Sequence, residues 1–85
     1  MIEHYGIILF PSTKMAMSAE RLAKKADLKV RIISTPQKLR ASCGFSLKYE
    51  LSQEEALLDV LRINGIEIEG YYHACQQGLK VTYDV

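Results

Sequence analysis

Between Phe45 and Glu55 the hydrophobic period of the chain changes from two to 3.6. Phe45, Leu47, Tyr49 and Leu51 alternate with Ser46, Lys48 and Glu50, the pattern of a strand with one buried and one wet face. Ser52-Gln53-Glu54-Glu55 follows at once. A serine cap with glutamate three residues later is a capping box, and acids in the first turn suit the positive end of the helix dipole. Ala56, Leu57, Val60, Leu61 and Asn64 recur at helical spacing, and Asn64-Gly65 is a stop signal. A strand that passes straight into a helix asks for a sheet with that helix packed on one face.

The other segments extend this frame. His4 to Phe10 is apolar on both alternation sets, which predicts a central strand with both faces at least partly covered. Pro11-Ser12-Thr13 breaks it, and Ser12 or Thr13 can cap a helix running to about Ala26. Met15, Ala16, Ala19, Leu22, Ala23 and Ala26 form its apolar stripe. Lys29 to Ser34 reads as a second strand, Gly44 to Leu51 as a third and Ile66 to Tyr72 as a fourth. The predicted domain is residues 1–73. Residues 74–85 form a C-terminal tail, in which Leu79 to Tyr83 has the pattern of an added edge strand after the Gln76-Gln77-Gly78 turn.

Strand, helix, strand, strand, helix, strand is satisfied by an α+β, ferredoxin-like βαββαβ two-layer sandwich: a four-stranded antiparallel sheet with both helices on one face. The first crossover makes strands one and two parallel, and strand three returns between them. The end of strand one and the start of strand three then share a sheet edge, which sets Ser12 and Thr13 beside Cys43 and Gly44.

With 85 residues the chain is one domain. It is 48% hydrophobic and 25% charged, which excludes a disordered chain, and a net charge of +1 argues against a DNA or RNA partner or an anionic membrane. No apolar run is long enough to span a bilayer and the N-terminus lacks a signal pattern, so the expected location is cytoplasmic. There the two cysteines, Cys43 and Cys75, are expected to be free thiols. Neither they nor His4 and His73 have the spacing of a metal site, and no cofactor is implied.

Chemistry therefore concentrates at Thr35–Gly44, too long for a tight hairpin. It holds Pro36, Lys38, Arg40, Ser42 and Cys43. A helix N-terminus and nearby cations favour a thiolate, the nucleophilic form of cysteine. Cys43 is the candidate reactive residue, with Ser12, Thr13, Arg40, Ser42 and Gly44 as the candidate groups around its cargo. Each has a plainer reading. A cysteine at a strand start is often a small apolar core residue, and Ser12 and Thr13 serve as helix caps.

These same residues resemble those of a selenium/sulfur carrier-like family of small single-domain proteins. The resemblance rests on Phe10, Ser12 and Thr13, on Ala16 and Glu20, on Arg31, and most of all on Thr35, Pro36, Leu39, Ser42, Cys43 and Gly44. It covers about residues 4–72. It implies that Cys43 carries sulfur or selenium as a persulfide or selenylsulfide, with donor and acceptor proteins as partners. The Cys-Pro-x-Pro motif of the better-established sulfur carriers is absent. The loop offers no acid–base partner for the thiol, which favours a carrier over a self-sufficient enzyme. The alternative is a non-catalytic interaction or regulatory module with a structural Cys43, paired as a homodimer through edge strands. A faint echo of an RNA-binding strand at Gly44–Tyr49 is the remaining reading.

Overall fold

A computed structural model describes residues 1–84. β1 (Ile2–Leu9) leads into α1 (Thr13–Lys25), β2 (Val30–Ser34) and β3 (Phe45–Tyr49). A single 3₁₀ turn (Leu51–Gln53) precedes α2 (Glu54–Ile63), and β4 (Gly70–Gln77) and β5 (Lys80–Asp84) complete the chain. The sheet is antiparallel throughout, in the order β2-β3-β1-β4-β5. It has five strands rather than four, because the edge strand expected at the C-terminus is present. Gln77 pairs with Lys80, so Gly78 and Leu79 form a two-residue hairpin loop, and Gly78 supplies the positive φ of 63° that such a loop requires.

The fourth strand is displaced from its expected position at Ile66–Tyr72. Ile66 and Ile68 do alternate with glutamates, but they pack from the α2–β4 connection onto the helix-side core. The strand begins at Gly70 and pairs with β1 along its whole length, from Leu9↔Gly70 to Ile2↔Gln77. Alternation marked which side chains are buried, and the ladder with β1 set where the strand starts.

The capping box also resolves differently. Ser52 lies inside the 3₁₀ turn, and Gln53 occupies the cap position of α2 without a side-chain cap bond. The Gln53 amide instead accepts from the Lys29 N–H and donates to the Lys29 carbonyl, both at 3.0 Å. The start of α2 is thereby tied to the residue that precedes β2. The cap on α1 is as expected: Ser12 Oγ accepts from the Met15 N–H at 3.2 Å.

Two cores lie on the two sheet faces. On the helix side, Ile8, Phe10, Leu47 and Tyr49 meet Ala16, Ala19 and Ala23 of α1 and Leu57 and Leu61 of α2, and Cys43 belongs to this cluster. The alanine stripe lets α1 lie close to the sheet. On the other face, Ile7, Leu9 and Ala74 are covered by Leu39, with Ala41, Tyr72, Val81 and Tyr83 around them. The Thr35–Gly44 loop is therefore a strap across the helix-free face. This explains why β1 is apolar on both sides: Ile7, Ile8, Leu9 and Phe10 are all buried.

Candidate functional site

The strap is fixed at four places. At its base the Thr35 N–H donates to the Gly44 carbonyl (2.9 Å). The Thr35 hydroxyl donates to the Cys43 carbonyl (3.1 Å) and lies 2.7 Å from Ser46 Oγ. In mid-strap Leu39 is buried in the helix-free core. Lys38 Nζ reaches the far edge strand and donates to the Val81 carbonyl at 3.2 Å. Finally, the Ser42 N–H and Oγ each donate to a different oxygen of Glu69, both at 2.7 Å. Glu69 is itself anchored, because its N–H donates to the Leu9 carbonyl at the end of β1 (2.7 Å).

These anchors are modest. Apart from the buried Leu39 they are hydrogen bonds, each contributing about 0.5–1.5 kcal/mol net. The Ser42 bonds hold the Glu69 carboxyl below the usual carboxylate range, first through the backbone N–H and then through the hydroxyl.

Cys43 follows Ser42 directly and turns to the opposite face. Its side chain is only 5% exposed. Sγ lies 3.4 Å from Thr13 Oγ1 and accepts from the Phe45 N–H at 3.3 Å. Thr13 is the first residue of α1, and no acid occupies that helix's first turn, so no carboxylate there offsets the positive dipole end. The sulfur thus sits between a hydroxyl, a backbone donor and a helix N-terminus. The residue is packed in the helix-side core, on the face of the sheet opposite the one the strap covers. A Cβ on Gly44 would meet nothing within 4 Å, so the backbone beside the sulfur is open to an incoming group.

The other expected site residues are distributed around this point. Thr13 touches the sulfur, while Ser12 is occupied as the helix cap. Ser42 positions the loop through Glu69. Lys38 is committed to Val81, and Arg40 lines hollows formed with β4 and β5 and with Ser42 and Glu69. Phe45, expected in the core, is 40% exposed at the start of β3. The sequence reading missed Glu69 as a site residue. Placing the fourth strand at Ile66 made Glu69 a mid-strand side chain. With the strand beginning at Gly70, Glu69 falls at the edge where β1 ends and β3 begins, beside Ser42.

A second polar cluster lies under α2. Glu54 Oε1 accepts from the Tyr49 hydroxyl (2.6 Å) and meets His73 Nε2 at 2.7 Å. Burial, and then the Glu54 bond, push the Tyr49 hydroxyl far above its usual range, so it serves as a proton donor. Among the described residues no group of three His, Cys, Asp or Glu side chains is arranged to hold a metal. Both cysteines are free. No helix among the described residues is long and apolar enough to cross a membrane.

Comparison with known proteins gives the family of the chain. Residues 5–73 match the family described as "Putative Se/S carrier protein-like", and the chain belongs to that family. It is 33% identical over 66 residues to the uncharacterized protein MJ0011 of Methanocaldococcus jannaschii. That match covers 78% of this chain but only 33% of the relative, so the chain spans about a third of the relative's length. No solved structure matches the chain.

Proposed function

We propose that the protein is a sulfur or selenium carrier in which Cys43 holds the cargo atom as a persulfide or selenylsulfide. The observation that carries this reading is the setting of Sγ, between Thr13 Oγ1 at the start of α1 and the Phe45 N–H. The Cys43 thiolate attacks the outer sulfur of a donor protein's persulfide. A new S–S bond forms on Cys43, the donor's S–S bond breaks, and the donor leaves as a thiolate. An acceptor thiolate repeats the step on the Cys43 persulfide. No external oxidant or reductant is consumed. Because Cys43 is 5% exposed in the helix-side core, loading requires the end of the strap that carries it to swing out of that core, and Ser42 releases Glu69 as it does so.

The same reading makes the chain a ferredoxin-like βαββαβ unit of residues 1–73, extended by the C-terminal hairpin, and a cytoplasmic protein that meets donor and acceptor proteins. The test is mass spectrometry after incubation with a cysteine desulfurase and cysteine. One sulfur atom is gained on Cys43, the gain survives Cys75→Ala, and Cys43→Ala abolishes it. Equal labelling of Cys43→Ala, or none of the wild type, overturns the proposal.

A second reading has one observation in its favour, the membership of Cys43 in the apolar helix-side core. In that case Cys43 is structural and the protein is an interaction or regulatory module, self-pairing through the exposed edges of β2 or β5. Cys43→Ala then lowers stability and leaves every binding activity intact.

A further inference from the structure

Across the sheet from Cys43, the strap and the C-terminal hairpin border an open hollow of about 620 Å³ lined by Lys38, Leu39, Arg40, Tyr72, Val81, Thr82 and Tyr83. Its volume is in the range of small-molecule sites, about 300–1,000 Å³. The chemistry of its lining is one-sided. It contains two cations, two phenols and one threonine, and no carboxylate. Arg40 has no ion-pair partner among the described residues. Neither the Tyr72 nor the Tyr83 hydroxyl makes a hydrogen bond among them. Burial pushes the Tyr83 hydroxyl upward, which keeps it a donor. Lys38 spends one of its three protons on the Val81 carbonyl. Arg40 also borders a smaller hollow with Glu69, but both Glu69 oxygens are already bonded to Ser42.

We propose that this hollow binds a small carboxylate with a planar apolar body, its carboxylate on Arg40 and its body against Leu39, Val81 and the two tyrosine rings. A guanidinium and a carboxylate match in a two-bond, coplanar pair. The guanidinium, with the Lys38 ammonium as a second positive charge beside it, calls for an anionic group, and the aromatic and aliphatic floor calls for an apolar remainder. The site does not depend on Cys43 carrying sulfur. Its occupant touches the strap that ends at Cys43, so it would hold the strap down on the helix-free face.

Benzoate is the probe, followed through backbone amide chemical shifts at neutral pH and constant ionic strength, with benzyl alcohol as the neutral counterpart. Benzoate is expected to bind weakly and saturably, moving the amides of Leu39, Arg40, Val81, Thr82 and Tyr83. Arg40→Gln, a change at an exposed side chain, is expected to reduce the affinity by about tenfold while leaving the unliganded spectrum elsewhere unchanged. Lys38→Gln reduces it less. The inference is overturned if benzyl alcohol moves the same amides equally, if Arg40→Gln binds as the wild type does, or if no saturable shift occurs. None of these outcomes bears on sulfur transfer to Cys43, which the labelling experiment reads separately.

Discussion

The two cysteines of this chain are held by different kinds of structure. Cys75 lies in the middle of β4, opposite His4 on one side and Thr82 on the other. Its position is set by sheet ladders on both sides. Cys43 lies at the end of a strap, and what surrounds its sulfur comes from three separate segments: Thr13 at the start of α1, Phe45 N–H at the start of β3, and Glu69 acting through Ser42. Cys75 is partly exposed and held by the ladders of the sheet, whereas Cys43 is buried and held by contacts outside the ladders.

The largest expected effect erases the difference between them. Gly6 sits under the Tyr49 ring, and a Cβ there would fall within the ring atoms. Gly6→Val is expected to destabilise the protein by about 3 kcal/mol, at the upper end of overpacking costs. The urea midpoint should fall, and the buried Cys43 should become as accessible to alkylation as the partly exposed Cys75. If Cys43 stays slower than Cys75 at the native rate ratio, the overpacking has not loosened the sheet as this account requires.

A smaller change should separate the two thiols. Glu69→Ala removes both acceptors of Ser42, so Cys43 should alkylate several-fold faster, with Cys75 and the urea midpoint nearly unchanged. Equal acceleration of both thiols would mean that the clasp supports the whole fold rather than the strap. Acid should act on the same contact. The folded Glu69 carboxyl lies below its ordinary range because of Ser42. The clasp is therefore intact above the ordinary glutamate range and is lost as pH falls through the lowered value. The Ser42 amide resonance should stay constant through the usual glutamate titration and shift only below it.

The smallest effect concerns the cargo rather than the strap. Thr13→Val keeps the shape of the side chain and removes the hydroxyl beside Sγ. One neutral hydrogen bond contributes about 0.5–1.5 kcal/mol, and this one is long, so the lifetime of a Cys43 persulfide against a reducing thiol should shorten by about threefold. An unchanged lifetime would leave Phe45 N–H and the helix end as the only stabilising groups.

Local chemistry made much of this legible in the sequence. Unbroken apolarity in β1 announced two covered faces, and Ser12 announced the start of α1. The adjacency of Thr13 and Cys43 followed from strand order alone. Three features were not legible, each because a distant contact outweighed a local pattern. Ile66 and Ile68 alternate like a strand but pack as a connection, since the ladder with β1 begins at Gly70. Ser52 had the spacing of a cap, yet Gln53 took the cap position and spent its amide on Lys29. The second face of β1 was known to need a cover, but nothing within Thr35–Gly44 said that this loop itself would supply it, because Leu39 is the one large aliphatic side chain in a mostly polar stretch.

The bond from Lys38 to Val81 bears on where such a chain can be cut or joined. The family match ends at residue 73, inside β4 and ahead of β5. A chain ended after Gln77 would keep β1, β2, β3, β4 and both helices, and the clasp on Ser42. It would lose the far mooring of the strap and three walls of the hollow, Val81, Thr82 and Tyr83. A neighbouring domain joined through the hairpin would therefore pull on the cross-tie that moors the strap ending at Cys43, a tie that spans 43 residues of sequence from Lys38 to Val81.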